Sequence, residues 1–486
     1  MREDEEQGKG PLSYHYEQYD KSRRRHHGYR RALGLTVLGT IIPGSGLVIA
    51  GRRRIGWAIL VLAALVAGFL GYLLLLHRDT VLHWAVQPGA LVVIGTVLPA
   101  LALAWVCVII ATYRSLLPRG VATFQRIMGY GLVAVLALVT VVPLGVGGRY
   151  ALVQKDVVQN VFAGSHSRSA TAPKHVSVKN PWAGKPRVNI ALLGGDGGPD
   201  RVGVRTDTVI IASIDTRTGN TVLFSLPRNL EKIPFPKGSV LADAYPNGIF
   251  DGKGNRLEWM LTAVYRNVPE QFPGLLKSDN PGADAVKLAA GGATGLNIDY
   301  YVLVNLEGFR ELVDALGGIT VNVNSKIPMG GESSAGLKPG GWILPGPNKH
   351  LDGFHALWFA RARYGADDYA RMRRQRCTVK AIVDQADPVK LLTRYEALAR
   401  TAKDIVLTDI PQSLLPAVVD LSLKVKKADV TNVAFTNELI RSAHPDYDFI
   451  HNRVKEALRE SENGTAVKQA ADDLDTACAY KGRKKP

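Results

Sequence analysis

Three apolar runs impose the first division of this chain. "GWAILVLAALVAGFLGYLLLL" (56–76), "GALVVIGTVLPALALAWVCVIIATY" (89–113) and "IMGYGLVAVLALVTVVPLGVG" (127–147) each supply the roughly 20 residues that a helix needs to cross hydrocarbon. A fourth run, "ALGLTVLGTIIPGSGLVIAG" (32–51), is interrupted by Pro43, Gly44 and Gly46. Lys and Arg gather in cytoplasmic loops near membrane segments. "KSRRRHHGYRR" precedes the fourth run and "GRRR" follows it, so both its ends read as cytoplasmic. It therefore reads as a re-entrant or interfacial hairpin rather than a span. The loop "YRSLLPRGVATFQR" is also basic, whereas "HRDTVLHWAVQP" is nearly neutral. Three spans from a cytoplasmic N-terminus place everything after about residue 148 outside the membrane, a multi-pass arrangement with a large outer domain.

This gives a cytoplasmic basic tail at 1–31, a membrane region at 32–148 and an extracytoplasmic linker at 149–186. The linker contains Ser, Pro, Gly and Lys and has no sustained periodicity. Formal net charge is +17, which calls for an anionic partner: phospholipid headgroups, phosphate esters, an acidic polymer or nucleic acid. The outward placement argues against nucleic acid. Of the three cysteines, Cys107 lies in an apolar run and reads as a small buried hydrophobe. Outside the cytoplasm, Cys377 and Cys478 pair naturally as a disulfide; two unrelated thiols are the other reading.

In the outer half, "RVNIALLGGD", "RTDTVIIASID" and "TVLFSLPRN" read as three strands, the last two joined by the turn-rich "TRTGN". Short connections make them antiparallel neighbours. Asp196 then falls past the end of the first strand, Arg205 and Asp207 at the start of the second, and Arg228 past the third. All four meet at one sheet edge. "DYYVLVNLEGFRELVDALGGITVNV" reads as strand, amphipathic helix and strand, with Gly317 and Gly318 as the helix stop. "LDGFHALWFARARY" starts a helix at Asp352, and "DDYARMRRQRCTVKAIVDQA" starts another, capped by Asp367 or Asp368. The fold class is α/β: a mixed central sheet flanked by helices, preceded by helical membrane segments.

Arg371, Arg374 and Gln375 stand at i, i+3 and i+4 and share a helix face; Arg361 and Arg363 lie just upstream. Several planar guanidinium forks suit a diphosphate. Asp196 and Asp207 suit a hard divalent cation, since Mg²⁺ takes one or two carboxylates plus substrate phosphates. Such a set stabilises charge developing in phosphoryl transfer. The same spacing also serves a salt-bridged, solvated helix face in which Asp368 and Arg371 form an i, i+3 pair. Convergence of separate segments distinguishes the two.

"LLGGDGG", "RTDTVIIASID", "SLPRN", "DALGGITVNV" and "LDGFHALWFARARYGADDYARMRRQR", in this order, together resemble the LytR-CpsA-Psr family of cell-wall ligases, actinobacterial type. The resemblance covers roughly residues 187–390, leaving 391–486 as a C-terminal extension. It implies a phosphotransferase that moves a glycopolymer, such as teichoic acid or arabinogalactan, from an undecaprenyl diphosphate carrier to peptidoglycan through a phosphodiester. By position, Asp196 and Asp207 would serve Mg²⁺ or Mn²⁺. Arg205, Arg228, Arg361, Arg363, Arg371 and Gln375 would hold the diphosphate, with Arg374 joining by geometry. Asp368 would orient Arg371 or act as base. Two positions depart from the family pattern: Val240 stands where a lysine is usual, and Asn229 where an aspartate is usual. Apolar stretches such as "EWMLTAVYRNV" and "ALWFA" read either as ordinary core or as lining for a prenyl chain. A polyprenyl diphosphate hydrolase and a non-catalytic polymer-binding or regulatory membrane protein use the same charges.

Overall fold

The computed structural model describes residues 11–164, 168–174, 176–195, 205–331, 336–365, 367–385, 406–464 and 474–482. The chain divides into two compact units, Met1–Lys155 and Asp156–Pro486.

The first unit is helical: α1 (Pro11–Ile41), α2 (Ser45–Ile49), α3 (Arg53–Leu76), α4 (Arg78–Trp84), α5 (Pro88–Leu116) and α6 (Thr123–Val161), which runs on into the second unit. Of these, α3, α5 and α6 are long and apolar enough to cross a membrane, and α3 leaves leucines such as Leu65 and Leu75 exposed. The basic segment after residue 10 and the start of the fourth apolar run form one continuous helix through Ile41, so the expected boundary at residue 31 falls inside α1. The chain then reverses at Pro43 and Gly44, and Gly46 packs against the Leu35 carbonyl and Gly39. Gly44 sits at φ +94°, where an added Cβ would lie 2.4 Å from the Gly56 carbonyl oxygen; only glycine suits that approach.

The second unit is α/β. Its central sheet runs β11-β6-β1-β2-β3-β12, comprising β1 (Arg187–Gly195), β2 (Thr206–Asp215), β3 (Thr221–Leu226), β6 (Tyr300–Val304), β11 (Val406–Thr408) and β12 (Val430–Ala434). β1, β2 and β3 pair antiparallel, as the short turns require. β6 joins β1, and β12 joins β3, in parallel. The two-residue period of the strands sorts their side chains. Ala191, Leu193, Val209, Ile211, Val222 and Phe224 enter the main core with α8 (Leu261–Gln271), α9 (Pro281–Thr294) and the helix Tyr447–Glu462. Leu192, Ile210 and Val302 point to the opposite face. There, α10 (Leu306–Leu316), α11 (Gly353–Arg361) and α12 (Asp368–Gln385) enclose a cavity.

Local signals set these helices. Asn305 caps α10 through the Gly308 amide at 2.7 Å, Asp352 caps α11 through His355 at 2.8 Å, and Asp367 caps α12 through Ala370 at 2.7 Å. Gly317 and Gly318 end α10 in the left-handed region, at φ 86° and 90°. The shorter strands β4 (Ile233–Pro234) and β5 (Ile249–Phe250) pair with each other beside the main core, one before and one after α7 (Val240–Ala244). β7 (Ile319–Val323) pairs with β10 (Gly346–Leu351), and β8 (Ile327–Met329) with β9 (Gly341–Ile343). These last four enclose a second core around Val313, Ile343 and Phe359.

The expected linker at 149–186 is not a free tether. Helix α6 occupies it as far as Val161, and Phe162, Ala172, Val176 and Trp182 pack into a cluster with Val188, Tyr300 and Leu421. Ser169 Oγ donates to Asp409 at 2.8 Å and accepts from Lys287 Nζ at 2.7 Å; the Ala170 amide donates to Asp284 at 2.6 Å. Lys287, wholly buried, is neutralised by Asp284 at 2.9 Å and Asp409 at 2.5 Å, as a buried charge requires. A fragment starting at residue 187 strips this knot of its Ser169 and Ala170 partners. It is expected to be at least about 3 kcal/mol less stable than one starting at residue 156. Coincident thermal melting of the two fragments would refute this.

Candidate active site

The β2–β3 register aligns Val209 with Leu226, which by extension sets Asp207 opposite Arg228, and the two side chains meet at 2.5 Å. Helix α12 brings two more charges. Arg371 lies 2.9 Å from Asp368 and 3.7 Å from Asp207 Oδ2, and donates to the Asp207 carbonyl at 3.1 Å; Arg228 Nε approaches Asp368 at 3.3 Å. Two guanidiniums and two carboxylates thus alternate in sign around a ring. Arg371 is only 2 % exposed. Burial pushes its guanidinium below the usual value, and the adjoining Asp368 and Asp207 charges oppose that drop. One turn on, Gln375 donates to Thr208 Oγ1 at 2.8 Å, fixing α12 against β2.

Beside the ring lies a cavity of about 330 Å³, within the range of ligand sites. Its polar end carries Asp207, Arg361, Arg363, Arg371 and Gln375, and its body is hydrocarbon from the sheet, α10, α11 and α12. One stripe of α12 shows the change: Arg371 and Gln375 give way to Val379, Ile382 and Val383 at spacings of three and four residues. The N-terminus of α12, with its partial positive charge, lies at the polar end.

The sequence-expected residues separate accordingly. Asp207, Arg228, Asp368 and Arg371 form the ring, while Arg361 and Arg363 line the polar end, Arg361 stacked over Trp358 at 5.0 Å. Asp196 lies outside the described residues. Arg205 bonds Glu258 at 2.6 Å, and Glu258 also holds Arg266. Burial raises the Glu258 carboxyl, but hydrogen bonds from Asn267 and Arg205 and the nearby Arg205 and Arg266 charges bring it below its usual value. Arg374 does not join the cluster. It donates to the carbonyls of Phe359, at 2.6 Å, and Ala362, closing the C-terminus of α11, whose last carbonyls lack helical partners. Burial first, then the Arg371 charge, bring Arg374 down to about 10. Val240 is exposed at the first turn of α7, and Asn229 Oδ1 is buried without a hydrogen bond.

The disulfide between Cys377 and Cys478 is present, with Cα atoms 5.6 Å apart; it ties the short helix Leu474–Cys478 to α12. Cys107 is a free, exposed cysteine in α5 and not a buried one, because α5 turns it outward. Sequence reading missed Glu258, Thr208 and Thr262, whose hydroxyl approaches Asp207 at 3.4 Å. The start of β2 was the available signal for Thr208. Of the apolar stretches, "ALWFA" contributes Leu357 and Ala360 to the cavity, whereas Leu261, Val264 and Val268 of the other belong to the main core.

For a divalent cation, the described residues offer Asp207. No group of three or more His, Cys, Asp or Glu occurs among them. Asp207 Oδ1 is engaged by Arg228, but Oδ2 stands 3.7 Å from Arg371, too far for a hydrogen bond. Asp207 lines the cavity, and one carboxylate oxygen is a donor that Mg²⁺ or Mn²⁺ could share with substrate phosphates and water.

A ring of two guanidiniums and two carboxylates thus stands at the polar end of an otherwise apolar cavity. The chain belongs to the LytR_cpsA_psr family, which residues 155–460 match. Among curated relatives, the polyisoprenyl-teichoic acid–peptidoglycan teichoic acid transferase TagU of Oceanobacillus iheyensis is 28% identical over 252 residues, 51% of this chain and 67% of that one. The TagU of Bacillus subtilis is 24% identical over 288 residues, 57% of this chain and 78% of that one. Among solved structures, B. subtilis TagV aligns over 57% of this chain and 98% of its own, at 20% identity and a TM-score of 0.39.

Proposed function

We propose that this protein is a phosphotransferase of the outer membrane face, moving a glycopolymer from a polyprenyl diphosphate carrier to a peptidoglycan hydroxyl. The observation that carries this reading is the α12 stripe, whose side chains pass from guanidinium to hydrocarbon along one cavity wall. That sequence of groups matches a diphosphate joined to a prenyl chain. The family relatives named as polyisoprenyl-teichoic acid to peptidoglycan transferases support it.

In this mechanism Arg371 and Arg228 bind the diphosphate oxygens, with Arg361 and Arg363 neutralising the outer phosphate. Asp368, held by two guanidiniums, positions Arg371; this favours an orienting role over that of base. The acceptor hydroxyl oxygen attacks the glycosyl-bearing phosphorus and its proton passes to water at the open end. The phosphoanhydride bond breaks, and prenyl phosphate leaves with its chain still in the apolar body. Asp207, with Asp196, would hold Mg²⁺ or Mn²⁺, which neutralises charge on diphosphate oxygens when bound. Arg205 is a diphosphate ligand in this reading once it leaves Glu258.

The test uses full-length protein in detergent with a polyprenyl diphosphate-linked glycan, Mg²⁺ and peptidoglycan fragments. Glycan joined to peptidoglycan through phosphate is the expected product. Phosphorylated glycan released into water without acceptor would instead make it a hydrolase, and binding without turnover a polymer-binding protein.

A further inference from the structure

The β8–β9 hairpin buries Ile327 and Ile343 in the second core, but its outer side is apolar as well. Trp342 is 38% exposed and Leu344, two residues along the same strand direction, 59%; Leu337 in the connecting loop is 60% exposed. Single exposed apolar residues are ordinary, yet three within eight positions, along one strand and the loop that leads into it, are not explained by the fold. Cations surround them. The Lys326 ammonium lies 4.6 Å over the Trp342 ring, Lys338 is exposed, and segment 324–350 carries three lysines against one glutamate, Glu332.

We propose that this hairpin inserts into the headgroup layer of an anionic bilayer, with Trp342, Leu344 and Leu337 in the acyl boundary and Lys326 and Lys338 on lipid phosphates. Tryptophan, leucine and lysine in one exposed element form the composition of an interfacial anchor. The charge is complementary to anionic lipid, and the same chain carries three helices apolar enough to cross a membrane, so a bilayer is at hand. A glycan surface is the weaker fit. Sugar stacking needs a free aromatic face, whereas Trp342 has Lys326 over one face and the Tyr364 ring edge-on at 6.4 Å, and the leucines offer no stacking surface. The contact with Tyr364 also makes the hairpin continuous with the cavity, because the preceding residue, Arg363, lines its polar end. Under the proposed function, insertion would hold that end at the depth where a carrier diphosphate lies.

The experiment reads depth rather than turnover, so its failure and that of the phosphotransferase reading are separable. Full-length Cys107→Ser protein with Leu344→Cys, labelled with an environment-sensitive NBD fluorophore, is reconstituted in phosphatidylglycerol–phosphatidylcholine liposomes. Leu423→Cys, on the helix Leu415–Val425, serves as reference. The label at 344 is expected to emit to the blue of that at 423, to be quenched by doxyl-labelled lipid and to be several-fold less accessible to aqueous iodide. Adding Lys326→Glu with Lys338→Glu is expected to return it to water. Equal iodide quenching at both positions would overturn the proposal. So would a label that stays aqueous on liposomes and is shielded only when peptidoglycan fragments are added, which would make the hairpin a glycan surface.

Discussion

Arg371→Ala is expected to lower transfer about a thousandfold, the cost of removing one preorganised donor from a developing charge, while leaving the domain folded. Arg371 is the most buried member of the ring and, like Arg228, lies against both carboxylates. Its loss removes a diphosphate ligand and leaves Asp207 and Asp368 facing each other across Arg228 alone. That second effect costs stability, about 3 kcal/mol by analogy with broken buried pairs, so thermal melting must accompany the rate. Arg371→Lys separates the contributions: it retains the charge, hence most of the stability, but loses the two-point fork. Its rate is expected to fall between alanine and wild type. A folded Arg371→Ala protein retaining transfer within tenfold of wild type would sink the assignment.

Leu192→Trp is expected to be nearly as damaging, and selectively so. Leu192 projects from β1 into the apolar body of the cavity, at a distance along the strand from the ring. A larger side chain there leaves the charges in place but shortens the space available to hydrocarbon. Excluding only four methylene-sized units from the cavity loses about 3 kcal/mol, or about a hundredfold in affinity. The effect should appear as a raised KM for a long-chain polyprenyl donor and vanish for a donor with a short prenyl chain, whose diphosphate still reaches Arg371. Equal losses with both donors would mean that the cavity does not hold the chain.

Much of this site was legible because its parts are local. The β2–β3 turn sets a register that pairs Asp207 with Arg228. Helical spacing from the Asp367 cap puts Arg371 and Gln375 on one face, and both turn to the sheet edge. Arg374 shows where that reasoning stops: a helix position defines a direction, but the choice of partner was made by the unpaired carbonyls of Phe359 and Ala362. Glu258 had no local signal, since its partner Arg205 is 53 residues away. The segment at 162–186 was misread for the same reason. Its composition is that of a solvated tether, yet Ser169 finds Lys287 and Asp409 across separations of 118 and 240 residues. Cys377 and Cys478 were the exception, a distant pair legible because chemistry leaves so few choices among three cysteines.

The strand order has a consequence for how this protein is made. Both margins of the central sheet, β11 and β12, come from residues after 405, while the interior strands β1, β2 and β3 emerge some two hundred residues earlier. A growing chain that has reached α12 therefore owns four of the sheet's six strands, with β6 and β3 as unpaired rims, the form most prone to pair with a neighbour. The parallel β3–β12 ladder demands a long-range closure that is slow to find. Maturation should thus await the last eighty residues, with the Cys377–Cys478 bond sealing the α12 scaffold only after those rims are covered. A C-terminal truncation before Val430 would then yield aggregates rather than a shorter, active domain.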